Sequence, residues 1–136
     1  MQAACVRFLV CPVCRGGLRP AVAALRCPAG HAFDVAREGY ANLLVTRHRR
    51  TRMVGDTPAM VAARAGFLAR EHYARLADAV AELVARHLRA RGAAAPGCVV
   101  DVGCGTGYHL GRLRDRLLAD DAAPPCLFGT DVSKHA

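Results

Sequence analysis

The sequence predicts an α/β protein in three successive parts: a small cysteine- and histidine-rich module, a helical segment, and one strand–helix–strand unit. Three observations carry that prediction. Two short pairs of metal-ligand residue types lie close together, Cys11 with Cys14 and Cys27 with His31. Apolar residues then recur at helical spacing over positions 73–88. Finally, an apolar run over 98–102 leads directly into Gly103, Gly105 and Gly107, and a second apolar run over 126–130 ends at Asp131.

Composition bounds what the chain can be. At 136 residues it is long enough for one medium domain, or for a small module joined to part of a larger one. With 53% hydrophobic and 22% charged residues it is not a chain kept disordered by low hydrophobicity. Tryptophan is absent, so the core is built mainly from Ala, Val and Leu. The net charge is +8 and is concentrated at the front: residues 1–56 hold nine Arg against three acids, whereas residues 57–136 hold ten basic residues against eight acids. Such an excess suits a polyanion such as nucleic acid, because neutralised phosphates release counterions. An arginine-rich solubilising surface accounts for the same numbers. The first ten residues place Arg7 inside a short apolar patch, without a secretory h-region or a small-residue cleavage site, and no run approaches membrane-spanning length. The expectation is a cytoplasmic protein with no membrane partner, in which clustered cysteines bind metal or do redox chemistry.

The first part, residues 1–45, contains C-x2-C-x12-C-x3-H at Cys11, Cys14, Cys27 and His31. Each pair is a knuckle: one ligand, a proline-led tight turn (Pro12, Pro28), and a second ligand aimed back at the same point. Two knuckles make a zinc-ribbon-like Cys3His shell, and four protein ligands leave no position for a reactive water, so the Zn2+ is read as structural. A Cys11/Cys14 redox pair, or buried thiols without a ligand role, are the alternatives, and Cys5 is a nearby competitor. Gly16-Gly17 and Ala24-Leu25-Arg26 read as a turn and a short strand returning to the second knuckle. Phe33, Val35, Tyr40, Leu43 and Leu44 are expected to pack over the module. Residues 46–56 form a basic linker in which Arg47, Arg49, Arg50 and Arg52 either contact RNA phosphates or are simply solvated.

Residues 57–136 begin with a helix start at Asp56-Thr57-Pro58, where a capping side chain precedes a proline suited to the first turn. A break is expected near 66–71. A second helix carries Tyr73, Leu76, Val80, Leu83, Val84, His87 and Leu88 along one face and ends near Gly92. By pattern alone Tyr73 belongs to the core and His72 to the surface. The apolar run at 98–102 is a buried strand with Asp101 at its end. Gly103, Gly105 and Gly107 permit positive φ and close approach of a ligand, and a helix from Tyr108 to Leu118 presents its N-terminal amides there. The second strand ends at Asp131, placed to accept hydrogen bonds from ribose hydroxyls. The spacing fits neither the G-x-G-x-x-G dinucleotide fingerprint nor the G-x-x-x-x-G-K-[ST] phosphate loop. A nucleotide-binding turn and a purely structural tight turn remain alternatives.

The pattern hydrophobic-Asp101-hydrophobic-Gly103-x-Gly105-Thr106-Gly107 resembles the first motif of class I S-adenosylmethionine-dependent methyltransferases. Together with Cys11-Pro12-x-Cys14, Cys27-Pro28-x-x-His31, residues 33–44, Gly55-Asp56-Thr57, Ala63-Arg64, His72-Tyr73 and Asp131-Val132-Ser133-Lys134, it is similar to the 23S ribosomal RNA guanine-N1 methyltransferases, including the branch linked to tylosin-type macrolide antibiotic resistance. The resemblance implies an α/β fold in which the zinc module precedes a helical segment and the first βαβ unit of a Rossmann-like methyltransferase sheet, incomplete in these residues. It implies that S-adenosyl-L-methionine is held by Tyr73, Asp101, Gly103, Gly105, Thr106, Gly107 and Asp131, and it replaces the core assignment of Tyr73. It further implies a 23S ribosomal RNA hairpin as partner, gripped with help from the zinc module, and methyl transfer to guanine N1 on a base in a loop or flipped from its stack. No residue is assigned as the base that removes the N1 proton. The sequence does not set the oligomeric state, for which a homodimer is one option. Because Ala136 follows Asp131 by five residues, the expectation is a truncated product or fragment without methyltransferase activity alone. The competing reading is a zinc-dependent RNA-binding module whose βαβ unit is a non-catalytic scaffold.

Overall fold

The computed structural model describes residues 3–45, 55–92, 97–119, 125–133 and 135–136. The chain divides into two compact units, Met1–Met53 and Val54–Ala136.

The first unit opens with a 3₁₀ turn, Ala3–Phe8, and continues as three short antiparallel strands, β1 (Arg19–Ala21), β2 (Ala24–Arg26) and β3 (Ala32–Asp34), in the order β1-β2-β3. Strands this short cannot bury much surface, so the unit packs its side chains around the ligand residues themselves. Val6, Cys11, Leu18, Leu25 and Cys27 form the buried cluster, with Leu9, Phe33, Val35, Ala41 and Leu43 against it. Two residues expected in that packing are outside it: Tyr40 and Leu44 are exposed. Val35 bridges Ala41, which points Ala41 and Leu43 inward, and the two-residue alternation of extended chain turns Tyr40 and Leu44 out.

The second unit begins with helix α1 (Pro58–Ala69), whose N-cap Thr57 accepts a hydrogen bond from the Met60 N–H at 3.3 Å. The chain reverses through Glu71, which takes φ +60°, and resumes as α2 (Ala74–Ala90), ended by Gly92 at φ +71°. Strands β4 (Cys98–Val102) and β5 (Cys126–Thr130) pair in parallel, with Cys98 opposite Cys126 and Val102 opposite Thr130. Helix α3 (Tyr108–Leu118) makes the crossover that parallel pairing requires. Its buried Leu113 and Leu117 pack on Ala81 and Ala85 of α2, with Val99 and Leu127 of the strands alongside. The fold is therefore the α/β arrangement expected, a small antiparallel module followed by helices and one βαβ unit.

The face α2 buries only partly matches the expected one: Val84 and Leu88 pack against the cluster as expected, but its buried centre is different. Ala77, Ala81 and Ala85 are buried, whereas Leu76, Val80 and Leu83 are exposed. A stripe without side-chain bulk lets α2 approach α3 closely, and the larger residues are displaced to its flank. Arg116 and Arg89 both pair with Glu82 at 2.7 Å, holding its carboxyl below the usual range. Among the described residues, no helix is long and apolar enough to cross a membrane.

Candidate functional site

In the first unit the two knuckles converge. The bridge between Val10 and Gly17 folds the chain back, and the Cys11 N–H donates to the Gly16 carbonyl at 2.8 Å while the Arg15 N–H donates to the Cys11 carbonyl. The second knuckle closes similarly, with the Gly30 N–H on the Cys27 carbonyl and Gly30 at φ +84°. One donor atom from each of Cys11, Cys14, Cys27 and His31 lies within 4.8 Å of every other. Three separations are shorter: Cys11 Sγ to His31 Nδ1 3.6 Å, Cys14 Sγ to Cys27 Sγ 3.6 Å, and Cys27 Sγ to His31 Nδ1 3.3 Å. A tetrahedral zinc held by three sulfurs and one nitrogen at their usual bond lengths needs donor-to-donor edges of about 3.5–3.8 Å. Those three separations already match such edges to within about 0.3 Å, and the others need only close from at most 4.8 Å, with His31 presenting Nδ1. Cys5 is not one of the four.

Electrostatics at this cluster favour a cation. Burial disfavours a charged Cys11, but the Cys14 and Val13 amides and the Cys14 and Cys27 thiols outweigh it and hold its pKa below the ordinary value. At Cys14 the Gly16 amide lowers the pKa, yet burial and the neighbouring Cys27 and Cys11 raise it on balance. Ionisation of one thiol opposes that of its neighbour, a conflict that a bound divalent ion removes. The cluster and its zinc-ribbon setting support zinc.

In the second unit the glycine turn is anchored to the end of β5. The Gly103 and Cys104 N–H groups donate to the Thr130 carbonyl at 2.7 and 3.0 Å, and the Gly105 N–H donates to Asp131 Oδ2 at 2.9 Å. The other Asp131 oxygen accepts from the Ser133 N–H at 2.7 Å. These two amides, Ser133 first, hold the Asp131 carboxyl below the usual carboxylate range. Gly103, Gly105 and Gly107 take φ of +76°, +54° and +80°, and a Cβ added at any of them would meet no atom within 4 Å. The turn is thus strained for any other residue and open above. Beneath it the Cys104 thiol lies against Gly129, and burial, then the Asp101 and Asp131 carboxylates, push its pKa up. The structure so brings Asp101, residues 103–107 and Asp131 to one end of the parallel pair.

Tyr73 lies elsewhere on this unit, at the N-cap of α2. Its ring meets Phe67 edge-on at 5.5 Å and the residue is 47% exposed, so the core position expected from pattern alone is not found. Three contacts had no signal in the sequence. They are the grip of Asp131 on the Gly105 amide, the ion-pair cluster of Arg112 with Glu71 and Asp78, and the packing of Gly55 onto Ser133. At Gly55 a Cβ would lie 2.7 Å from the Ser133 Cα, and the Ser133 hydroxyl donates to the Asp56 carbonyl, so the segment before α1 is fastened to the loop after β5. The arginines at 47, 49, 50 and 52, and Lys134, lie outside the described residues.

Comparisons with known proteins agree with this arrangement. Residues 9–52 match the family model for the N-terminal zinc ribbon of RlmA. The chain is 50% identical over 131 residues to a 23S rRNA (guanine(748)-N(1))-methyltransferase of Streptomyces fradiae, a match covering 96% of the chain and 43% of that protein. It is 47% identical to a putative 23S rRNA (guanine-N(1)-)-methyltransferase of Micromonospora griseorubida, over 88% of the chain and 45% of the relative. The resemblance read from the motifs is borne out, and the chain spans less than half the length of the curated relatives it matches.

Proposed function

We propose that these residues form the zinc ribbon and the first part of the cofactor site of an S-adenosylmethionine-dependent enzyme that methylates guanine N1 in a 23S ribosomal RNA hairpin, in the cytoplasm. The observation that carries the reading is the glycine turn held open at the end of β4 by Thr130 and Asp131, in a chain that half-matches two such methyltransferases. The residues present fit the cofactor: three glycines leave unfilled space above the turn, and two carboxylates flank it.

When bound, S-adenosylmethionine supplies the electrophilic methyl group that guanine N1 accepts. The chain's own residues bind and orient. Gly103, Gly105, Thr106 and Gly107 form the backbone surface the cofactor lies on. Asp131, fixed by two amides, keeps lone pairs for ribose hydroxyls, since each carboxylate oxygen accepts more than one hydrogen bond. Asp101 would hold the cofactor's amino group, and Tyr73, at the start of α2, would help to hold the cofactor. Such alignment of the acceptor with the methyl group is a large part of catalysis in a transfer of this kind. The zinc is structural, held by Cys11, Cys14, Cys27 and His31, and stabilises a module too small to fold on its own core. That module also meets RNA. Arg7, Arg15, Arg19, Arg26 and Arg37 are all exposed on it, against Asp34 and Glu38 among the described acids.

Calorimetric titration with S-adenosylmethionine tests the reading. Binding by the wild-type chain that is abolished in Gly105→Arg is the expected result. Salt-sensitive RNA affinity without any cofactor binding would instead support an RNA-binding zinc module with a non-catalytic βαβ scaffold.

A further inference from the structure

The turn between α1 and α2, which carries Tyr73, is tied to α3 through Arg112. Arg112, on the second turn of α3, donates to Asp78 Oδ1 at 3.0 Å and to Glu71 Oε1 at 2.8 Å, and its guanidinium lies 5.5 Å from the centre of the Tyr108 ring. Its side chain is 26% exposed, while those of Glu71 and Asp78 are 69% and 59% exposed. The arginine is therefore the sheltered centre of the cluster and the two acids reach in to it. Glu71 precedes Tyr73 by two residues and Asp78 follows it by five, so the two contacts bracket the turn between α1 and α2.

That turn is held in an unfavourable shape. Glu71 adopts φ +60°, a left-handed conformation that a residue with a side chain enters only when its surroundings compensate. The backbone is closed on both sides, with the Glu71 N–H on the Leu68 carbonyl and the Ala74 N–H on the Glu71 carbonyl. Tyr108 immediately follows Gly107, the last glycine of the turn on which the cofactor is read to lie. Leu68, Glu71, Tyr108 and Arg112 line one open cavity, so the reversal that carries Tyr73 stands beside the start of α3.

Resting on the cofactor reading above, we propose that Arg112 is a positioning residue: by joining Glu71 and Asp78 and stacking on Tyr108, it fixes the α1–α2 turn that carries Tyr73 against the start of α3, the helix that leads out of the glycine turn. Arg112 acts through Tyr73 and touches no cofactor atom. Charge-assisted pairs that converge on one guanidinium give it the directional hold that a lysine lacks.

The test is a double-mutant cycle on the wild-type chain with two readouts. By calorimetry, Arg112→Met weakens S-adenosylmethionine binding by about tenfold in the wild-type background and by less than about twofold when Tyr73 is already Ala. Glu71→Gln, at an exposed side chain, gives a smaller loss of the same kind. In the free protein, the Tyr73 ring-proton resonances, displaced by Phe67, move toward those of free tyrosine in Arg112→Met while resonances of β4 and β5 stay in place. Additive losses in the cycle would overturn the proposal, as would unmoved Tyr73 resonances in a chain whose wild type binds cofactor. A wild-type chain that binds no S-adenosylmethionine would overturn the cofactor reading itself, and the positioning role with it.

Discussion

Replacing Gly129 by alanine tests how the glycine turn is supported from below. The added Cβ would lie 2.7 Å from Cys104 Sγ, 3.2 Å from Cys104 Cβ and 3.5 Å from Leu110 Cδ2. Comfortable contact between such atoms is about 3.5–4.0 Å, so the thiol must move by about 1 Å. It has little freedom to do so, because Cys104 is part of the turn: its N–H is bonded to the Thr130 carbonyl at 3.0 Å and its thiol donates to the Gly105 carbonyl at 3.4 Å. The strain passes to the turn, and overpacking of this kind costs about 1–3 kcal/mol. Cys104→Ala removes the worst contact and leaves the 3.2 Å approach, which needs only a few tenths of an ångström. Gly129→Ala should therefore cost less than half as much in the Cys104→Ala background. Urea unfolding followed by far-ultraviolet circular dichroism measures this, since all three described α-helices lie in the second unit. Strictly additive costs would refute the thiol as the support of the turn.

Wild-type chain purified without chelator should carry about one zinc, and Cys14→Ser or Cys27→Ser should lose most of it together with the protease resistance of the first unit, measured by metal analysis and limited proteolysis. Full zinc retention in either variant would count against the ligand set. Thr57→Ala removes the cap on the Met60 amide and should cost about 1 kcal/mol, read as earlier loss of helix signal on heating. For Asp131 the folded carboxyl titrates below its ordinary value of 3.8, so its contribution to stability is complete above that value and is lost only as pH falls through the lower folded pKa. Asp131 should then add no pH dependence to the stability of the second unit between pH 5 and 8 (about the range where carboxylates stay charged), and Asp131→Asn should flatten the loss seen in more acidic solution.

Local signals made the βαβ unit legible. An apolar run, a cluster of glycines, a helical repeat and a second apolar run each act on neighbouring residues, and β4, α3 and β5 fall where those signals put them. The knuckles were legible for the same reason, since ligand spacing is itself a local pattern. Burial was harder to read. Hydropathy ranks Leu76, Val80 and Leu83 above Ala77, Ala81 and Ala85, but close packing of α2 on α3 favours the side chains that take least room. What the sequence hid were contacts between distant positions. Asp131 reaches the Gly105 amide across 26 residues, and Arg112 reaches Glu71 across 41. The break expected near 66–71 is found between α1 and α2, but its strained form at Glu71 was hidden, because a glutamate in a left-handed turn breaks the residue preference by which such turns are recognised.

The most direct measurement is a titration of isotope-labelled chain with S-adenosylmethionine, following each backbone amide by nuclear magnetic resonance. The largest shifts should fall on Gly103, Gly105, Thr106, Gly107 and Asp131, with Tyr73 also perturbed and the zinc-ribbon amides unmoved. Shifts confined to other residues, or no shifts at millimolar cofactor, would contradict the assignment of this turn as the cofactor site.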